Sequence, residues 1–79
     1  MKNKSVYSLN MAAYLIYRGY NEFMIAEDEK GLYFLVFDED VSEAIREYRT
    51  GKCTVELHKY LECYKKLRQR INSIRVNCI

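Results

Sequence analysis

The strongest constraint on the fold is an uninterrupted run of large apolar residues near the middle of the chain. The run covers residues 32–37, reads Leu-Tyr-Phe-Leu-Val-Phe, and lies between Gly31 and three acidic residues. Its length suits a strand, and Tyr, Phe and Val are favoured in strands. Because side chains alternate along a strand, three large apolar side chains fall on each face. The sequence therefore predicts a central strand whose two faces both need cover.

The residues before this run predict a strand, a helix and a hairpin. A short first strand is expected over residues 5–7, and a second over residues 22–26. Residues 27–31 are mostly polar and end in glycine, which suits a hairpin loop that returns the chain antiparallel into the central strand. Residues 9–18 predict a helix, capped by Ser8 or Asn10 and ended by Gly19. Its many apolar residues predict that it is the most buried helix.

Two more helices are expected after the central strand. Asp40 and Glu43 have the spacing of a capping box, and Gly51 suits the end of that helix. A long helix is then predicted from Thr54 to about residue 74. Its apolar residues recur every three or four positions, which predicts a seam packed on the sheet or, alternatively, on a partner's helix. The seam consists of Leu57, Tyr60, Tyr64, Leu67, Ile71 and Ile74, with Leu61 alongside.

Together these elements predict an α+β fold of order β-α-β-β-α-α, with an antiparallel hairpin at its core and a long C-terminal helix. We expect one sheet face to take the first helix and the other face to take the second or third. If the helices leave one face uncovered, the exposed apolar patch predicts a homodimer. A chain of 79 residues predicts one domain over residues 1–79 and leaves little room for a large private cavity.

Charge, cysteine content and the lack of a long apolar stretch indicate the expected cellular location. The formal net charge is +2. Up to Asp40 there are four basic and seven acidic residues, which gives −3 and leaves +5 for the remainder. The three cysteines cannot all pair within one chain and form no C-x-x-C motif, so a reducing cytoplasm is expected. No stretch approaches the roughly 20 apolar residues of a membrane span, so no membrane association is expected.

The sequence offers no arrangement typical of an enzyme. The acidic clusters at residues 27–29 and 38–40 fall at opposite ends of the predicted hairpin, where they cannot share a metal ion. His58 lies five residues from both Cys53 and Cys63. On a helix each five-residue step turns the side chain by about 140°, so these three residues would not meet at one zinc ion. We therefore expect a non-enzymatic protein without a cofactor.

Two groups of residues are candidates for binding. The last predicted helix carries a basic group that could contact phosphates of nucleic acid, although cations near a helix C-terminus also complement its dipole. That group is Lys65, Lys66, Arg68 and Arg70. The chain also has eight tyrosines, which suit either protein contact or the rim of a small core. The candidate protein contacts are Tyr17, Tyr20, Tyr60 and Tyr64.

The pattern from Tyr7 to about Ile71 resembles a family of short proteins of unknown function from Gram-positive bacteria, their phages and other mobile elements. The resemblance rests on Tyr7-Ser8, on Ala12-Ala13-Tyr14-Leu15 followed by Gly19-Tyr20, on Tyr33-Phe34 with Phe37, on Tyr48 with Gly51 and Val55, and on Tyr60 and Leu67-Arg68. The family has no established catalytic residues, so the resemblance implies a context only. Small cytoplasmic proteins in that context often inhibit host defence by occupying a partner's surface.

These observations favour a small binding protein that inhibits a bacterial defence complex through protein–protein contact, in the manner of anti-CRISPR proteins. Its expected partner is a host protein or nucleoprotein complex. The alternative is an accessory protein that binds nucleic acid through the basic helix. Both functions place the protein in the bacterial cytoplasm.

Overall fold

The computed structural model describes residues 4–52 and 54–77, with side chains described as far as Ile74. The chain forms three strands and three helices in the predicted order, and the fold is α+β. The elements are β1 (Lys4–Val6), α1 (Leu9–Tyr17), β2 (Phe23–Glu27), β3 (Tyr33–Phe37), α2 (Ser42–Thr50) and α3 (Leu57–Asn77).

The three strands form one antiparallel sheet in the order β1-β3-β2. The apolar run is therefore the central strand, as predicted. Leu35 pairs with Val6 of β1 on one side and with Ile25 of β2 on the other. Paired residues share a face of an antiparallel sheet, so this register fixes which side chains meet on each side.

The hairpin between β2 and β3 is closed by Asp28. Its Oδ1 accepts hydrogen bonds from the backbone N–H groups of Lys30 and Leu32, both at 2.9 Å. Its own N–H donates to the carbonyl of Leu32 at 2.9 Å. An aspartate that binds backbone amides two and four residues ahead stabilises a tight turn. The predicted loop is confirmed, with β2 extending one residue further to Glu27.

Polar caps and glycines set the ends of α1 and α2. The hydroxyl of Ser8 accepts from the N–H of Met11 at 3.2 Å, so Ser8 rather than Asn10 is the N-cap of α1. Gly51 follows α2 with φ +75°, and the N–H of Lys52 donates back to the carbonyl of Glu47 at 3.1 Å. A residue with a side chain is strained in that left-handed conformation, which is why glycine ends this helix.

The predicted capping box at α2 is wrong. The N-cap is Val41, and no side chain caps it. The Asp40 carboxylate instead accepts from the N–H and the hydroxyl of Ser42, at 3.2 and 2.6 Å. The helix therefore begins one residue later than a box centred on Asp40 requires.

The start of α3 also lies later than the predicted Thr54. The helix begins at Leu57, directly after Glu56. The Glu56 carboxylate accepts from the N–H groups of His58 and Lys59, at 3.3 and 3.1 Å. It thus satisfies two of the amides that a helix leaves unpaired at its first turn.

All three helices cover the same face of the sheet. The sheet contributes Val6, Leu35 and Phe37 to the core, and these three side chains share one face. The helices complete the core with Ala12, Tyr14, Leu15, Ala44, Ile45, Leu67 and Ile71, together with Val41 just before α2. The expectation that helices cover both faces is therefore wrong. The helices pack against one another as well as the sheet, and this holds them on one side.

Helix α1 is the centre of the helical layer and is well buried, as predicted. It packs against α2, α3 and β1, and Ala12, Ala13 and Leu15 are fully buried. The two alanines allow close approach of neighbouring elements. The seam of α3 packs chiefly against α1, which corrects the expectation that it packs on the sheet. Leu67 and Ile71 of this seam are buried, whereas Leu57 lies before the contact and stays exposed.

A polar contact joins α1 to α2 at the edge of the core. The hydroxyl of Tyr14 donates to Glu47 Oε1 at 3.0 Å and accepts from Arg18 Nη1 at 3.0 Å. Arg18 also forms an ion pair with Glu47. The Tyr14 ring is only 2% exposed, and this burial raises the pKa of its hydroxyl.

We expect Leu67→Ala to lower the free energy of unfolding by about 2–5 kcal/mol, because it leaves a cavity between α3 and the rest of the core. The matched control is Leu61→Ala on the same helix, where the side chain is half exposed. Its effect should stay near 0.5 kcal/mol, as for most surface substitutions. Urea denaturation followed by circular dichroism measures both. Equal losses would contradict the assignment of Leu67 to the core.

Stability should fall above about pH 10, and part of this loss should come from Tyr14. The folded state raises the pKa of Tyr14 above the ordinary value of 10.0, so the unfolded chain releases that proton first. Tyr14→Phe should cost about 0.5–1.5 kcal/mol at neutral pH by removing two hydrogen bonds. The difference between wild type and Tyr14→Phe should then narrow as the pH rises through 10. Denaturant titrations at pH 8 and at pH values above 10 test this, and a constant difference would contradict it.

Candidate functional site

The sheet face that points away from the helices carries a group of exposed or partly exposed apolar side chains. We call it the outer sheet face, and it consists of Tyr7, Met24, Leu32, Phe34 and Val36. Met24 is 70% exposed, Leu32 55% and Tyr7 51%. Met24 pairs with Val36 across the strands. The Tyr7 and Phe34 rings are stacked, with centroids 4.7 Å apart.

One end of the outer sheet face carries two carboxylates. Glu22, just before β2, lies opposite Asp38, just after β3. The N–H of Asp38 donates to the carbonyl of Glu22 at 3.0 Å. In the part of the chain that the structure describes, neither carboxylate has an ion-pair partner. Together with Phe23, Met24 and Val36 they line an open depression of about 300 Å³. Two unpaired carboxylates beside apolar side chains favour a cationic group in this position.

The four tyrosines predicted as protein contacts lie on the helical side of the molecule, and two of them hold α1 and α3 together. The hydroxyl of Tyr17 accepts from the N–H of Glu56 at 2.9 Å. The hydroxyl of Tyr60 donates to the carbonyl of Asn10 at 3.0 Å. Both rings are half-buried. These two hydroxyls therefore have a structural role that the sequence does not reveal.

Tyr20 and Tyr64 are also half-buried. Tyr20 packs against the core. The guanidinium of Arg68 lies 6.0 Å from the ring centre of Tyr64. Contact of the four tyrosines with a partner stays a prediction.

The predicted basic group on α3 divides into two pairs. Lys65 and Arg68 lie on one flank of the helix, and Lys66 and Arg70 lie on the other. Arg68 and Arg70 are about 160° apart around the helix axis. All four residues are exposed, and no acidic group of the described residues forms an ion pair with them. The four cations therefore do not form a single patch.

The flank that carries Lys66 and Arg70 borders the sheet. The guanidinium of Arg70 lies 5.1 Å from the ring centre of Phe23 on β2. Lys66 and Arg70 line a shallow, wide depression of about 570 Å³ together with Gln69, Ser73 and Ile74. This surface offers two cations, an amide and a hydroxyl next to an apolar floor. A further basic residue of α3, Arg75, has its side chain outside the described residues.

Residues 4–52 and 54–77 contain no cluster of three or more His, Cys, Asp or Glu side chains that could hold a metal ion. Within those residues Cys63 is half-buried and forms no disulfide. Cys53 and Cys78 lie outside the described residues. None of the helices in the described ranges is both long and apolar enough to cross a membrane.

Comparison with known proteins assigns the chain to a family. The profile of the family described as Domain of unknown function (DUF5659) matches residues 1–73. The chain belongs to the DUF5659 family. Neither the curated proteins nor the solved structures contain a significant match. The family description gives no activity, so the surface of this DUF5659 chain is the source of functional inference.

Sequence reasoning missed the outer sheet face of the DUF5659 chain as a candidate site. The alternation of residues 32–37 already separates Leu32, Phe34 and Val36 from the other three apolar residues. However, Tyr7 and Met24 join that set only through the strand register. Pairing the predicted strands 5–7 and 22–26 with residues 32–37 would have grouped the residues of the outer sheet face. Which face the helices cover would still have been unknown.

We expect Met24→Thr to change the free energy of unfolding of the DUF5659 chain by about 0.5 kcal/mol or less, because this side chain is exposed. The matched control is its neighbour Ile25→Thr, which points to the core side of the same strand. That change removes packed methyl groups and buries a hydroxyl, so it should cost about 1–3 kcal/mol. Thermal unfolding compares the two. A large loss in Met24→Thr would show that the outer sheet face has a structural role.

Proposed function

We propose that this protein is a non-enzymatic binding protein that docks on a partner protein through the outer sheet face. The observation that supports the proposal is the set of exposed apolar side chains on that face, with Met24 on strand β2 70% exposed. The main apolar patch on the surface of a monomeric protein often serves an interaction. Tyrosine, phenylalanine and methionine, which make up most of this face, are enriched in protein interfaces.

The chemistry of the partner follows from the charges around the face. Glu22 and Asp38 lie at one end without ion-pair partners among the described residues. A partner surface with an apolar centre and a Lys or Arg at its margin complements this arrangement. Charge pairs at the margin chiefly improve association rate and selectivity, whereas the aromatic centre supplies most of the affinity.

The extent of the face favours a larger partner over a second copy of the chain. Strands β2 and β3 have five residues each and are about 17 Å long, and β1 has three, so the sheet gives a patch on the order of 200 Å². A stable interface buries about 800 Å² on each partner. A larger partner protein can extend the contact to the surface around the outer sheet face. A homodimer is the alternative that the experiments must distinguish.

The biological role that we propose is inhibition of a bacterial defence complex by a protein encoded on a phage or mobile element, in the bacterial cytoplasm. Support comes from the resemblance to small proteins of that context. Occupying a surface needs no catalytic group. The proposed partner is a host protein or nucleoprotein complex.

A second candidate function is nucleic-acid binding through α3. It is favoured by the four exposed cations Lys65, Lys66, Arg68 and Arg70, which have no acidic partner among the described residues. Free cations can neutralise phosphates and release counterions, so binding would weaken steeply with salt. The division of the four into two flanks limits how many can reach one backbone. Fluorescence anisotropy with duplex DNA and structured RNA over a range of salt concentrations measures this.

We expect the double variant Tyr7→Ala and Met24→Ala to weaken partner binding by at least about tenfold, since central aromatic and apolar contacts often contribute about 2 kcal/mol or more. Host proteins that the wild type captures are purified, and their binding is measured by calorimetry as a two-component reaction. Arg46→Ala is the control, because Arg46 is exposed on α2 rather than on the sheet.

Four results would contradict the proposal. They are unchanged affinity in the double variant, loss only in Tyr20→Ala and Tyr64→Ala, a dimer in sedimentation that the double variant abolishes, and salt-sensitive nucleic-acid binding as the sole activity. The first two would move the contact away from the outer sheet face. The third would make a second copy the occupant, and the fourth would favour the second candidate function.

A further inference from the structure

Strand β2 forms a free edge of the sheet. It pairs only with β3, because β3 lies between the other two strands. Two hydrogen bonds fix the phase of this pairing, from the Asp38 N–H to the Glu22 carbonyl at 3.0 Å and from the Asp28 N–H to the Leu32 carbonyl at 2.9 Å. Residues with backbone groups directed to the partner strand alternate with residues directed away. The backbone N–H and C=O groups of the even-numbered residues of β2 therefore hydrogen-bond to β3.

The odd-numbered residues of β2 direct their backbone groups away from the sheet. These residues are Phe23, Ile25 and Glu27, and no backbone hydrogen bond outside the strand pairing satisfies their N–H groups in the described ranges. The strand contains no proline, which is one common means of blocking an edge. Such an edge is a template for an additional strand.

One cation of α3 lies beside this edge, and two more lie on the same flank of that helix. Arg70 lies over the ring of Phe23. Lys66 precedes it by one turn, and Lys59 precedes Lys66 by two turns on the same flank. We call these three residues the basic flank. All three are exposed and have no ion-pair partner among the described residues.

We propose that the β2 edge and the basic flank together bind an extended peptide segment of a partner protein that places a carboxylate next to Arg70. The segment would add to the sheet as a fourth strand, with its backbone paired to Phe23, Ile25 and Glu27. Its side chains on the helical side would reach Arg70 and Lys66. The inference rests on the proposed function in that it names a partner chemistry for a binding protein, but it uses a different surface from the outer sheet face.

The residues on β2 determine the charge pattern of that segment. The position opposite Phe23 lies next to Arg70 and accepts a carboxylate. The position opposite Ile25 faces partly buried apolar surface and accepts an apolar side chain. The position opposite Glu27 lies beside a carboxylate and accepts a cation. The segment therefore carries an acidic residue and a basic residue four positions apart, with an apolar residue midway.

A second copy of the chain fits the β2 edge and the basic flank less well than a peptide does. Antiparallel pairing of two β2 strands about Ile25 would place a glutamate opposite Phe23, which matches the local pattern. However, it would also place Phe23 rather than a cation opposite Glu27, so a second copy matches the charge pattern at only one of its two ends.

Nucleic acid would contact the basic flank but not the β2 edge. A phosphate backbone could contact Lys66 and Arg70, but it would leave the β2 backbone groups unpaired. It would also gain from Lys65 and Arg68 on the other flank of α3. An extended peptide uses the strand edge and the basic flank together, which is why the structure favours it.

The probes are two synthetic peptides with the cores Lys-Thr-Val-Thr-Glu and Glu-Thr-Val-Thr-Lys, which test the antiparallel and parallel directions. NMR titration of the isotope-labelled chain follows the amides of Phe23, Ile25 and Glu27. We expect one direction to bind, to shift these amides and to slow their hydrogen exchange. Replacing the glutamate of the peptide by lysine, or methylating a peptide amide that faces β2, should remove binding.

Matched charge reversals on α3 locate the site. Arg70→Glu should weaken binding at least about tenfold, equivalent to about 1.4 kcal/mol. Arg68→Glu makes the same change on the opposite flank and should have an effect of about twofold or less. Circular dichroism confirms that both variants fold, which is expected because both side chains are exposed.

The inference is overturned if neither peptide binds, if amide methylation has no effect, or if the two charge reversals weaken binding equally. It is also overturned if the amides of β2 are protected in a dimer without peptide, or if only oligonucleotides bind. The double variant Tyr7→Ala and Met24→Ala should still bind the peptide. If the outer sheet face is not a docking site, peptide binding at the β2 edge is therefore unaffected. If the peptides do not bind the β2 edge, the proposal for the outer sheet face is likewise unaffected.

Discussion

The burial of Leu35 and Phe37 on one face of β3 organises the molecule. Both side chains are fully buried, and they form the floor on which side chains from all three helices meet. A sheet of three short strands can bury only a small area on each face. Packing α1 between α2 and α3 adds helix–helix contacts to the same core. One well-filled core is thereby formed on one side, and the other side of the sheet is left to solvent.

This one-sided core determines the surfaces that are open to binding. The outer sheet face exposes stacked aromatic rings and a methionine because no helix covers it. The β2 edge is open because β3 occupies the centre of the sheet. Helix α3 packs on α1 through its seam, so its cations are divided between two flanks, one of which borders Phe23. The two proposed binding surfaces are therefore both consequences of where the helices pack.

Local patterns in the sequence predicted most of the elements. Ser8, Gly19 and Gly51 mark helix ends, and the loop before Gly31 marks the hairpin, because capping and turn formation depend on residues within a few positions. The predicted capping box failed at Asp40, where Ser42 binds the carboxylate instead. The tyrosines at 17 and 60 were expected at a binding surface. Their hydroxyls instead join α1 and α3 through contacts 39 and 50 residues apart in sequence, which no local pattern reveals.

The sequence by itself determined the order of strands and helices, the hairpin at the centre and the division of apolar residues along β3 into two sets. These properties follow from periodicity and turn chemistry, which act over short distances. Only the tertiary structure decided which set the helices bury, which strand edge stays open and which cations face that edge. Those outcomes depend on how three helices share one small core. They are therefore properties of long-range packing rather than of any single segment.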